Sequence, residues 1–200
     1  MKILLIGANG TIGQGIYKAL KDQHEVITAG RSSGDMQVDL SDAASIKAMF
    51  VKTGKVDAVI ASAGTPIVFK PLCEMTPEDY QSSFNSKGLG QIQLSIIAKD
   101  YLNDGGSITL TSGVLTDMFI AAGSAATMVN SAIDGFVKAA AFEMPRGIRI
   151  NVVSPGLLEE SVDIYGDFFP GAETVTSSRV AKAFVRSILG IESGRVFSVI

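Results

Sequence analysis

The chain has 200 residues, 46 % of them apolar and 18 % charged, and a net charge of −3. That composition excludes intrinsic disorder and is long enough for a single domain, residues 1–200, around one substantial core. Lys and Arg are scattered, which gives no basic stripe for nucleic acid. The one cysteine, Cys73, rules out an intrachain disulfide and fits a reducing compartment.

The chain opens on an apolar run, Ile3–Ile6, too short for a secretory h-region. No stretch approaches the roughly 18 apolar residues of a membrane span, so a cytoplasmic protein with no membrane partner is expected. Ile3–Ile6 reads as a strand, Ile12–Lys21 as a helix and Val26–Ala29 as a strand. Met36–Val38 is a short strand, and Ser41 is expected to cap a helix through about Thr53. Val56–Ala61 is the next strand. Thr76 as N-cap and Pro77 at the first helical position start a long helix to about Leu102. Then follow strand Ser107–Thr111, helix Gly123–Glu143, strand Ile148–Val153, helix Thr176–Leu189 and strand Arg195–Val199.

Several of these strands are continuous apolar runs, the pattern of a parallel sheet buried on both faces. Alternation of strand and helix implies a doubly wound α/β fold of the Rossmann type, with about seven mainly parallel strands and helices on both faces. Ligands in such sheets bind at the carboxyl ends of the strands, where the motifs of this chain cluster.

Gly7, Ala8, Asn9, Gly10, Thr11, Ile12 and Gly13 join the first strand to the first helix. Glycines there permit a tight turn and a close backbone approach to a pyrophosphate, and the helix N-terminus supplies free N–H groups. A bare turn is the plainer alternative. The second strand ends Ala29-Gly30-Arg31-Ser32-Ser33, without the carboxylate that holds a ribose 2′-hydroxyl in NAD-preferring domains. Arg31 offers a fork for a 2′-phosphate, helped by Ser32 and Ser33. The expected cofactor is therefore NADP(H); a solvated surface Arg is the alternative. Asp39 is a candidate to face the adenine, or else serves the helix start with Ser41 and Asp42. One His and one Cys are too few for a zinc site, and no metal is expected.

Together these residues resemble the short-chain dehydrogenase/reductase family along the whole chain. Ser62-Ala63-Gly64 resembles its Asn-Ala-Gly segment. Phe84-Asn85-Ser86-Lys87-Gly88 is similar to the motif carrying a catalytic Asn, here Asn85. Gly106–Gly113 resembles the strand that carries the catalytic Ser, assigned to Ser112. Ile148–Gly156 resembles the strand and turn beside the nicotinamide, with Pro155 and Gly156 at its end. The resemblance implies hydride transfer to or from a small carbonyl or alcohol, and a homodimer or homotetramer built on the two long helices.

The pattern breaks at the family's acid, a Tyr followed four residues later by Lys. Alignment on Gly135 and Glu143 puts Ala126 and Asn130 at those places. Asn130 can still hydrogen-bond ribose hydroxyls, but it is uncharged. Tyr17 and Lys21 have the right spacing on the wrong element. Substitute acids are sought in Thr127, Lys87 and Tyr165. Two functions remain open: an NADP(H)-dependent oxidoreductase with weakened or unusual catalysis, and a catalytically silent NADP(H)-binding regulator. Restoring Tyr at 126 and Lys at 130 is expected to raise reductase activity.

Overall fold

Strand–helix alternation in the sequence becomes one seven-stranded sheet in the computed structural model, which describes residues 1–64 and 66–200. Its strands are β1 (Lys2–Ile6), β2 (Glu25–Gly30), β3 (Met36–Gln37), β4 (Val56–Ala61), β5 (Leu102–Thr111), β6 (Arg149–Pro155) and β7 (Val196–Val199). The spatial order is β3-β2-β1-β4-β5-β6-β7, and every pair is parallel. The α-helices are α1 (Thr11–Leu20), α2 (Ala43–Thr53), α3 (Pro77–Ser83), α4 (Gly90–Ala98), α5 (Ser124–Ala140), α6 (Val162–Tyr165) and α7 (Ser177–Leu189).

The continuous apolar strands are explained by two cores. In β1, Leu4 and Ile6 join Phe50 of α2, Leu94 of α4 and Val129 of α5 on one face. Ile3 and Leu5 join Ile16 of α1 and Phe184 of α7 on the other. Successive side chains point to opposite faces, so a strand covered on both sides must be apolar at every position. β1 pairs with β2 on one edge and β4 on the other, and the connections diverge between β1 and β4. That divergence opens a crevice at the carboxyl ends of the strands.

Several boundaries differ from the sequence reading: β5 starts at Leu102 rather than Ser107, β6 runs on to Pro155 and α5 ends at Ala140, and two further differences have a clear local cause. Asp42, not Ser41, caps α2: its carboxylate accepts from Ala44 N at 2.8 Å. Ser41 instead donates through both N and Oγ to Asp39 Oδ1. The long helix expected from Pro77 to Leu102 starts as read, with Thr76 and Asp79 forming a reciprocal capping box. It then widens into a π-helical turn over Phe84–Leu89 and ends at Ala98. The Phe84 ring packs over Gly88, where a Cβ would lie 2.7 Å from a ring carbon. Downstream, Tyr101 is held outside the helix by stacking on Phe50, with ring centroids 4.9 Å apart, and Leu102 already pairs with Val56 of β4. Among the described residues no helix is long and apolar enough to cross a membrane.

Candidate active site

The crevice holds two adjoining clefts that share Gly10, Ser62, Ala63 and Gly64. The outer one, of about 650 Å³, runs over the ends of β1 and β2. Its floor is the glycine turn. Gly7 has φ +86° and donates its N–H to Ala29 O at 2.8 Å. A Cβ on Gly7 would lie 2.3 Å from Ser62 O, and one on Gly13 would lie 2.0 Å from Gly7 O. Gly7 and Gly13 thus let strand and helix touch. Gly10 is different: its φ is −73° and a Cβ would meet nothing nearer than 3.6 Å. Gly10 keeps the space in front of the α1 N-terminus clear, which is what an anion approaching free N–H groups requires.

Arg31, Ser32 and Ser33 wall the far end of the outer cleft, with Arg31 and Ser32 exposed. A small network shapes their loop. Thr28 N and Oγ1 donate to Asp35 Oδ2 at 2.9 and 2.8 Å, and Asp35 N donates back to Thr28 Oγ1 at 3.1 Å. The Thr28 hydrogen bonds hold the Asp35 carboxyl below its ordinary range. Asp39 lines the same cleft, and the Ser41 hydrogen bonds, with Arg31 nearby, lower its carboxyl as well. Asp39 therefore performs the turn chemistry that was one of its two sequence readings. Asn85 is exposed on the π-helical turn and reaches this cleft too.

The inner cleft, of about 280 Å³, is lined by Thr11, Ile12, Thr111, Leu158 and Lys87 besides the shared residues. Lys87 Nζ donates to Ser112 O at 2.8 Å and to Asn130 Oδ1 at 2.7 Å. The Asn130 amide is oriented by its other end, where Nδ2 donates to Gly113 O at 3.3 Å. Burial pulls the Lys87 ammonium down to about 8, against the attraction of Asp134. Burial pushes Asp134 up, partly offset by the adjacent Ser112 hydroxyl and by Lys138. Thr111 is fixed by Gln91 of α4, whose amide accepts from Thr111 N at 2.8 Å and donates to Thr111 O at 2.9 Å.

The structure brings Gly7, Asn9, Gly10, Thr11, Ile12, Arg31, Ser32, Asp39, Ser62, Ala63, Gly64 and Asn85 to the two clefts. Gly13 supports them from within α1. Ser112 is placed otherwise than the sequence reading assigned. It is 3 % exposed, lines neither cleft, and its Oγ has no hydrogen-bond partner. Its backbone carbonyl, not its hydroxyl, enters the site. The neighbouring position points at Asn130, since a Cβ on Gly113 would lie 3.0 Å from Asn130 Nδ2. Asn130 is itself buried and meets the inner cleft only through its hydrogen bond from Lys87. Pro155 and Gly156 close β6, with Gly156 N donating to Val199 O at 2.8 Å, off both clefts. Of the substitute acids, Thr127 spends its hydroxyl on Leu115 O at 2.8 Å and Tyr165 lines neither cleft; Lys87 stands at the site. Leu158 and Gln91 were not singled out from sequence, since neither belongs to a local motif.

An all-parallel, doubly wound sheet with a glycine turn at its switch point defines a Rossmann-type α/β fold, and similarity to known proteins narrows it. Residues 12–189 match the family profile described as enoyl-(acyl carrier protein) reductase. The chain belongs to the short-chain dehydrogenase/reductase family. It is 29 % identical over 177 residues to an uncharacterised oxidoreductase of Methylorubrum extorquens, covering 76 % of this chain and 71 % of that one. It is 28 % identical over 158 residues to a hydroxynaphthalene reductase of Aspergillus fumigatus, covering 74 % of this chain but only 57 % of that one. Among solved structures it is similar to protein lin1944 of Listeria innocua, with TM-score 0.97, 48 % identity and all of both chains covered. A small-chain dehydrogenase solved in complex with NADPH superposes with TM-score 0.88 at 27 % identity, covering 100 % of this chain and 96 % of that one.

Proposed function

We propose that this protein is an NADP(H)-dependent oxidoreductase acting on a small carbonyl or alcohol, with a rearranged catalytic centre. The observation that carries the reading is the continuous cleft with the clear space before Gly10 at its middle and a cation at each end, Arg31 outside and Lys87 inside. The residues present fit the cofactor. The α1 N-terminus and Gly10 take the pyrophosphate, Arg31 with Ser32 and Ser33 takes the 2′-phosphate, and Ser62–Gly64 flank the path inward. The similarity to a relative solved with NADPH supports the same choice. Bound there, the nicotinamide supplies a two-electron hydride donor or acceptor. The chain's own part is to orient the reacting group and handle its proton.

A second reading, a catalytically silent NADP(H)-binding regulator, is favoured by one fact: Ala126 is buried and carries no acid. Both readings require the cofactor. Calorimetric titration tests that common step. NADP⁺ is expected to bind at least tenfold more tightly than NAD⁺, and Arg31→Ala is expected to erase the difference, since a charge-assisted hydrogen bond contributes about 1.5–3 kcal/mol. Equal affinities in the parent, or an unchanged ratio in the variant, contradict the assignment. Single-turnover oxidation of bound NADPH by small ketones and quinones separates the two readings.

A further inference from the structure

The sequence breaks with its family at positions 126 and 130, yet the inner cleft does not lack a cation. Lys87 reaches it from the opposite wall, and four features of the chain converge on its ammonium. The π-helical turn Phe84–Leu89 carries one residue more per turn than an α-helix, which re-aims the side chains on it. Gly64, at φ +128°, leaves room for the Lys87 stem, where a Cβ would sit 2.7 Å from Lys87 Cγ and 3.0 Å from its Cα. The Ser112 carbonyl at 2.8 Å and the Asn130 amide oxygen at 2.7 Å each accept one ammonium proton. An ammonium has three protons. Two are committed to the protein, and Lys87 lines the inner cleft with the third to spare.

We propose that Lys87 is the proton donor of this site, acting on the oxygen of the substrate carbonyl, and that Asn130 is its positioning residue. The proposal rests on the oxidoreductase reading above. In the reductive direction the carbonyl carbon accepts a hydride from the reduced nicotinamide cofactor and the C–O π pair moves onto oxygen. A proton passes from Lys87 Nζ to that oxygen, and the neutral amine regains a proton from water. The reverse direction takes the alcohol proton onto the neutral amine. Burial lowers the ammonium to about 8, near enough to neutral for both directions. The facing charged group is Asp134 of α5, which in turn feels Lys138 and Asp117.

Competitive trace acetylation from pH 6 to 11, read by mass spectrometry on each lysine, is the first test, with calorimetry on the same samples. Lys87 is expected to titrate near 8, below the exposed lysines, and to be protected by saturating NADP⁺. A Lys87 that titrates with the surface lysines, or stays unprotected while NADP⁺ binds, overturns the proposal. Absence of NADP⁺ binding overturns the functional reading and the donor role with it, and it is seen separately in the calorimetry. The second test is single-turnover NADPH oxidation with ketones and quinones. Lys87→Met is expected to lose about 10²–10⁴-fold in rate. Lys87→Arg keeps the charge and guards against simple misfolding, but a guanidinium gives up no proton near neutral pH and is expected to be as slow. Asn130→Ala is expected to shift the alkaline limb of the pH–rate profile, where the donor loses its proton, rather than abolish the rate. Parent-like rates in both Lys87 variants overturn the proposal, as does a parent that holds NADPH and oxidises it with none of the panel.

Discussion

The two ends of the cleft are built in different ways. The outer end is made of backbone and of residues close in sequence: the turn Gly7–Gly13 and the loop Arg31–Ser33, shaped by Thr28 and Asp35. The inner end is made of groups from three separate stretches of the chain. The Ser112 carbonyl and the Asn130 amide lie 25 and 43 residues from Lys87 and meet its ammonium at 2.8 and 2.7 Å. A backbone cradle tolerates little change and keeps its signature. A side-chain cluster can hand its charge from one helix to another while the sheet stays the same. The difference teaches that loss of a family's sequence motif is not loss of the charge it supplied.

A pair of glycine substitutions sharpens the contrast most strongly. Gly64→Ala places a Cβ against Lys87 at a positive φ and is expected to cost about 1–3 kcal/mol, visible as a fall in Tm of several degrees. Gly10→Ala is compatible with φ −73° and open space, so Tm is expected to stay within about 2 °C. Its cost falls instead on NADP⁺ affinity, about tenfold, because the methyl group fills the approach to the α1 N-terminus. A stable Gly64→Ala protein, or full cofactor affinity in Gly10→Ala, breaks the distinction.

Asn130→Lys comes next. From sequence, a lysine at 130 with a tyrosine at 126 restores the family pair. In the structure that lysine puts a second ammonium where Asn130 Oδ1 accepts from Lys87 at 2.7 Å. Like charges that close in a buried site cost several kcal/mol, or force one amine neutral. The Ala126→Tyr, Asn130→Lys double variant is therefore expected to gain no reductase activity and to melt below the parent. A gain in activity with Tm unchanged supports the earlier expectation over the present geometry.

A further effect is in the pH dependence of stability. Lys87 is lowered in the folded state from 10.5 to about 8. Below pH 8 the folded protein carries the full cost of the buried charge. Between about 8 and 10.5 the unfolded chain binds more protons than the folded one, so stability rises with pH. The gain from pH 8 to pH 10 is about 2 kcal/mol, measured by urea unfolding against Lys87→Met, which lacks it. Parallel pH curves for the two proteins place the ammonium in water rather than in the cleft wall.

Much of the outer end is readable in the sequence for a physical reason. A phosphate cradle needs glycines at short spacing between a strand and a helix, and all of them lie within seven residues, Gly7 to Gly13. The parallel sheet with helices on both faces follows from the continuous apolar runs and the strand–helix alternation. The inner end was harder to read. Lys87 was one candidate among three because nothing local marks it; its role depends on a π-helical turn, on Gly64 and on the orientation of Asn130. The resemblance of Gly106–Gly113 to the family's strand assigns the catalytic hydroxyl to Ser112. Strand alternation sends that side chain into the core beside Asp134 and leaves position 113 facing Asn130. A one-residue shift along a strand moves a side chain to the opposite face, and a motif alone does not fix that register.

The most direct measurement is a crystal structure of the protein with NADP⁺. The 2′-phosphate is expected within hydrogen-bond distance of Arg31 and the pyrophosphate against Gly10 and the α1 N-terminus. The nicotinamide end is expected in the inner cleft, beside a Lys87 still tied to Asn130. A phosphate away from Arg31, or a Lys87 ammonium turned out of the cleft, contradicts this placement.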